Sequence, residues 1–313
     1  MSVVIPAYKS EATIGDALKS LLGDIECGLE VVVVVDGQLD RTSEILASFP
    51  LIKVVVNQIN VGASRSRNIG LAHVSDARPY VMFLDSDDYV ADDLIAGLAG
   101  QLQASDAQIC FGKFAHAYFS QAGHLRSIDR VLIPHEASPD VWAKRFVSGQ
   151  FVPPCAVMWN KEFLYAIGAW DEDLPKYQDG ELAIRAMAAW PKIAYGAVGR
   201  GLYCHRCNEE RVSNSVSSTM DGHWGIVSAL LAFRDLCVDD DSAKFVLHSA
   251  AARFCYDAAV QAYVSENYGA GRDFERLARA MGLKGHFGKR PYRYLNALIG
   301  LKRRGMLQRI FSN

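Results

Sequence analysis

The chain has 313 residues, half of them hydrophobic and 22% charged, with a formal net charge of -2 at pH 7. This composition excludes a disordered or fibrous protein and leaves room for one large α/β domain with an appendage, or for two modest domains. The charge is unevenly spread: residues 281–313 carry eight basic side chains (Lys284, Lys289, Arg290, Arg293, Lys302, Arg303, Arg304, Arg309) and no acidic one, whereas residues 1–280 hold 25 basic and 35 acidic.

The first hundred residues alternate strand and helix. SVVI at residues 2–5 is a short apolar strand, and residues 13–22 carry Ile14, Ala17, Leu18, Leu21 and Leu22 at helical spacing. Residues 30–35, EVVVVV, are β-branched after the first position, as befits a strand buried on both faces of a parallel sheet. A helix over 41–49, a strand over 52–56, a helix over 64–73, a strand over 80–84 and a helix over 91–103 follow. That order predicts a mostly parallel, doubly wound sheet with right-handed crossovers. Residues 107–114 read as another strand, 121–138 show no strong period, and 152–198 form a second organised block with a helix over 179–190. Residues 223–281 read as two or three helices, so we expect a catalytic domain over 1–220 and a helical C-terminal region over 221–313.

Seven cysteines at irregular positions read as reduced thiols. Cys204 and Cys207 form a C-x-x-C, but no second half completes a structural zinc pattern. No apolar run approaches the ~20 residues of a membrane span, and MSVVIPAYKS enters a strand at once, without a signal-peptide pattern. We therefore expect a soluble, cytoplasmic protein.

In an open α/β sheet, ligands bind beyond the carboxyl ends of the strands. Asp36 follows one such end, and the D-S-D-D of Asp85, Ser86, Asp87 and Asp88 follows another. Three carboxylates in four positions repel one another, so a cation site is expected; capping of the next helix by Asp88 or Asp92 accounts for only one of them. Neither G-x-G-x-x-G nor the P-loop pattern is present, which argues against a dinucleotide-binding domain or a P-loop ATPase.

Five segments in order, VVIPAYKSEATIGDALKSLL, VVVVVDGQLDRT, NVGASRSRNIGLA, FLDSDD and YQDGELAIRA, together resemble the family 2 inverting glycosyltransferases, which share the nucleotide-sugar-binding GT-A fold. The resemblance covers about residues 1–215. It implies a nucleotide-sugar donor, and Mn²⁺ or Mg²⁺ held at the D-x-D signature by Asp87 and Asp88, with Asp85 and Ser86 toward the nucleotide. It implies that Pro6 and Tyr8 border the nucleotide and that Asp36 accepts from a base ring N–H, which favours uracil, thymine or guanine over cytosine or adenine, with a UDP-sugar as the expected donor. A simple turn at Asp36-Gly37 is the competing reading, and Val35 and Gln38 depart from the family's usual D-D-G-S.

By the same resemblance Arg67 and Asn68 face the nucleotide, and Arg206 belongs to a polar stretch closing over the diphosphate. His205 lies where some relatives place a late metal ligand. Asp179 would be the catalytic base, with helix capping as its alternative role and Glu181 in reserve. Trp170 and Asp171 match a segment on the acceptor side. The implied acceptor is a glycan or lipid-linked saccharide, and the basic, aromatic-rich tail over 284–310 suits peripheral contact with an anionic membrane. Its rival is a helix packed on the domain with a solvated basic face. Nucleic acid is not expected as a partner, since the acidic body would repel it. A nucleotidyltransferase, or a non-catalytic nucleotide-sugar-binding protein of the same fold, are the rival functions.

Overall fold

Eleven strands are found among the described residues, in two sheets. The computed structural model describes residues 1–91, 93–147, 150–174, 178–206 and 267–281, with residues 252, 254–256, 258–260 and 262–263 between them. The strands are β1 (Ser2–Ala7), β2 (Glu30–Asp36), β3 (Lys53–Asn57), β4 (Tyr80–Phe83), β5 (Tyr89–Ala91), β6 (Ile109–Phe111), β7 (Phe114–Phe119), β8 (Leu125–Ile128), β9 (Val157–Asn160), β10 (Ile193–Tyr195) and β11 (Arg200–His205).

The large sheet runs β10-β6-β9-β4-β1-β2-β3. Its pairings are parallel except where β9 inserts antiparallel between β4 and β6. This is the expected mostly parallel α/β sheet, with order reversing around β1. Val31 to Val35 are at most 1% exposed, as a strand covered on both faces must be. Helix α4 (Ala63–Ala72) lies against β1 and β2 through Gly70, where a Cβ would come within 2.4 Å of Val4 Cγ1.

The second sheet runs β5-β11-β7-β8 and was not foreseen. The stretch expected as one strand over 107–114 breaks at Gly112 and Lys113, sending β6 to the large sheet and β7 to the small one. The helix expected from residue 91 starts later, as α5 (Leu94–Ser105), because β5 occupies Tyr89–Ala91. The strand β11 approaches the turn at Pro154–Ala156 so closely that a Cβ on Gly201 would sit 2.3 Å from the Cys155 carbonyl oxygen.

The chain divides into two interleaved units. The first holds Met1–Pro139, Phe151–Glu172 and Ala189–Glu209, and contains both sheets. The second holds Asp140–Gln150, Asp173–Ala188 and Glu210–Asn313. Its described elements include α6 (Pro139–Val147), α8 (Gln178–Ala188) and a helix over Tyr268–Ala280. The expected boundary near residue 220 and the basic tail over 284–310 lie outside the described residues. No described helix is long and apolar enough to cross a membrane.

Candidate active site

The carboxyl ends of β1, β2 and β4 place the sequence-marked residues at one edge of the first unit. At the end of β1, Tyr8 is 41% exposed. Ser10, just beyond it, joins its hydroxyl to that of Ser86 at 2.7 Å, which ties the β1 loop to the D-S-D-D turn.

Asp36 is buried rather than open. Its Oδ1 accepts from Asn57 Nδ2 at 3.1 Å and from the Val61 amide at 2.8 Å, and its Oδ2 from the Gly62 amide at 2.9 Å. At 2% exposure the carboxylate, expected to meet the base, holds the 57–62 loop in place.

The D-S-D-D turn separates its carboxylates by environment. Asp85 accepts from Arg67 Nη2 at 2.6 Å, in a pair whose side chains are 28% and 5% exposed. Asp87 is half-buried. Asp88 is 1% exposed, and its Oδ1 accepts from the Cys204 amide at 2.7 Å. The Cys155 thiol lies near this carboxylate. Burial, with the negative charge of Asp88 and Asp85 nearby, pushes that thiol well above its usual range, so it stays protonated and able to donate. Asp88, expected as a metal ligand beside Asp87, therefore points into the protein.

Arg67 is the hub of a second set of contacts. Its guanidinium lies 4.3 Å from the Trp170 ring centroid, and that ring meets Phe83 edge-on at 5.0 Å. Trp170, matched by resemblance to the acceptor side, is 3% exposed, with its ring inside this stack. Asn68 is likewise spent on the protein. Its Nδ2 donates to the Trp170 carbonyl and to Glu172, each at 2.9 Å, and its Oδ1 accepts the Trp170 amide at 3.1 Å. The A-R-N-like segment is thus a brace that seats residues 170–172 against α4. Asp171 beside it is half-buried.

Arg206 follows β11. Its guanidinium stacks 4.3 Å from the Phe119 centroid and 5.5 Å from that of Tyr89. It donates to the Tyr89 hydroxyl and, at 3.5 Å, to the Asp87 carbonyl. His205 takes part in a different cluster: its Nε2 is 2.7 Å from His116 Nδ1, and its ring stacks on Tyr118 at 4.7 Å.

In the second unit, Asp179 is exposed in the first turn of α8. It is the second residue of the helix, where a carboxylate also suits the positive helix end. Glu181 is 4% exposed and gripped by Arg185 at 2.7 and 2.6 Å, which removes it as a reserve base.

The donor set bears on the expected metal. Among the described residues, no three His, Cys, Asp or Glu side chains converge into a metal cage. Asp85 is bound to Arg67 and Asp88 is turned inward, while Asp87 is half-buried beyond the end of β4. Mg²⁺ typically takes one or two protein carboxylates and completes its sphere with phosphate oxygens and water, so the residues present fit a metal that arrives with a diphosphate.

Sequence reading missed Ser10, Cys155 and Cys204 as neighbours of the D-S-D-D turn.

Comparisons with known proteins agree with this architecture. Residues 2–166 match the family described as "Glycosyl transferase family 2". The chain is 24% identical over 173 residues to the glycosyltransferase GlyG of Streptococcus pneumoniae, covering 52% of this chain and 57% of GlyG. It is 33% identical over 94 residues to the minor teichoic acid biosynthesis protein GgaA of Bacillus subtilis, covering 28% of this chain and 21% of GgaA. The matched stretches thus span about half, or less, of these relatives. Among solved structures, the S. aureus TarS 1-349 complex with UDP-GlcNAc superposes with a TM-score of 0.61 at 17% identity, over 92% of this chain and 93% of that one. The structural likeness identifies the fold as GT-A. With a family match that spans over half of the 313 residues and takes in β1, β2 and the D-S-D-D turn, the chain belongs to glycosyl transferase family 2.

Proposed function

We propose that the chain is an inverting, metal-assisted glycosyltransferase that moves a sugar from UDP to a hydroxyl of a polysaccharide or lipid-linked saccharide. The observation that carries this reading is the sorting of the D-S-D-D carboxylates: Asp85 neutralised by Arg67, Asp88 turned inward, and Asp87 left half-buried at the strand end. Support for the donor comes from the fold neighbour solved with UDP-GlcNAc, and for the acceptor class from the teichoic acid protein among the relatives.

In this reading, Asp87 holds Mn²⁺ or Mg²⁺, which when bound supplies Lewis-acid stabilisation to the departing diphosphate. Arg206 adds fixed positive charge beside Asp87, and its Nε is buried without a hydrogen-bond partner among the described residues. A phosphate oxygen is the acceptor that suits such a donor. Asp36 acts on the base indirectly by fixing the 57–62 loop, while Pro6 and Tyr8 border the nucleotide. Asp179 takes the proton of the acceptor hydroxyl, whose oxygen attacks the anomeric carbon opposite the leaving phosphate and inverts its configuration. The enzyme works in the cytoplasm, its basic tail resting on anionic lipid.

The deciding experiment is calorimetric titration of UDP and UDP-GlcNAc with and without Mn²⁺, on wild type and Asp87→Asn. Metal-dependent binding by wild type that Asp87→Asn loses is the expected result. Metal-independent binding, or none, overturns the reading.

A further inference from the structure

The two sheets meet at the D-S-D-D turn. There β5 pairs antiparallel with β11, with Leu202 opposite Tyr89 as the last pair. The next residue back from Tyr89 is Asp88, where the main chain turns away: the Asp88 amide donates to the Asp85 carbonyl at 3.0 Å. The backbone ladder between β5 and β11 ends here, two residues short of Cys204. The Cys204 amide is nevertheless paired, because the Asp88 carboxylate reaches it at 2.7 Å. Cys155 lies in the turn at Pro154–Ala156, against which Gly201 is pressed. Two residues beyond Cys204 stands Arg206, with its guanidinium on the Asp87 carbonyl, Tyr89 and Phe119.

We propose that Asp88 is a positioning residue: its carboxylate supplies a side-chain rung where the β5–β11 ladder ends, and so holds Arg206 in register with Asp87. A side chain serves here better than main chain, because the turn must leave the strand direction at Asp88 to expose Asp87. Asparagine keeps an oxygen for the Cys204 amide, whereas alanine does not. A metal ligand, by contrast, would lose its charge in the change to asparagine and hold the cation more weakly.

The inference rests on the proposed UDP-sugar site for its consequence, but the clamp itself is testable without nucleotide. In the full chain, amide hydrogen exchange across residues 200–206 is compared for wild type, Asp88→Asn, Asp88→Ala and Asp87→Asn. The expected result is exchange about 10-fold faster in Asp88→Ala, the factor corresponding to one charge-assisted hydrogen bond of ~1.5 kcal/mol, with Asp88→Asn near wild type. UDP affinity in Mn²⁺ should fall by about the same factor in Asp88→Ala and stay within about 3-fold of wild type in Asp88→Asn.

Unchanged exchange in Asp88→Ala overturns the clamp. Asp88→Asn losing Mn²⁺-dependent affinity as fully as Asp87→Asn overturns it in favour of a second ligand. If Asp88→Ala fails to fold, Asp88→Ser, too short to reach the Cys204 amide, takes its place in the exchange comparison. A wild-type chain without UDP affinity would refute the donor assignment, and the exchange data would still judge the clamp.

Discussion

Replacing Arg67 with methionine should destabilise the first unit by about 3 kcal/mol. Methionine preserves most of the buried stem but removes the charge-assisted bond to Asp85 at 2.6 Å and the cation over Trp170 at 4.3 Å. The first is worth ~1.5–3 kcal/mol and the second ~1–2 kcal/mol at a desolvated site. Asp85, at 28% exposure, keeps some water and so recovers part of the loss. Urea unfolding followed by tryptophan fluorescence measures the change, and a cycle with Asp85→Asn isolates the pair, for which we expect a coupling of ~1.5–2.5 kcal/mol. Single-mutant effects that add to within about 0.5 kcal/mol would refute the claim that these two side chains depend on each other.

Asp179→Asn should cut transfer by about 10²–10⁴-fold while leaving UDP affinity unchanged; comparable turnover in a donor-consumption assay rejects it as the base. Gly201→Ala should lower the melting temperature by several degrees, since its Cβ would meet the Cys155 carbonyl at 2.3 Å and backbone cannot step aside cheaply; such overpacking costs ~1–3 kcal/mol. Thiol labelling should follow burial. At pH 8 exposed Cys27 reacts with iodoacetamide in the native protein, whereas Cys110, pushed up to about 12, and Cys155, raised well above its usual value, react only on unfolding. Peptide mapping that finds Cys155 labelled first would contradict its placement.

The large sheet was legible because β1, β2 and β4 bury both faces, which writes an uninterrupted apolar run into the sequence. The second sheet was not, because β5 and β6 have three residues each, too few to show a period, and Gly112-Lys113 reads as part of a strand rather than as a switch between sheets. The site shows the same division. Residue type marked Asp87 and Asp88 as alike and Asp36 as a base contact, yet the direction of Asp36 and Asp88 is set by partners distant in the chain, Gly62 and Cys204. Asn68 and Trp170 were located at the right segment and given roles toward ligand that their contacts with each other already fill.

The five valines of β2 have a further consequence during synthesis. Val31 to Val35 leave the ribosome before β3 and α4 exist to cover them, and an uncharged β-branched run without proline is the kind of segment that pairs with its own copies. Glu30 and Asp36 bracket it. In the folded protein Glu30 accepts the Ser2 hydroxyl at 2.6 Å and the Ser75 amide, and Asp36 holds the 57–62 loop. Before folding, the same two carboxylates are like charges at both ends of a sticky strand, where they oppose stacking of one nascent chain on another. Each thus guards the strand until its native neighbours arrive, and then becomes part of what binds them.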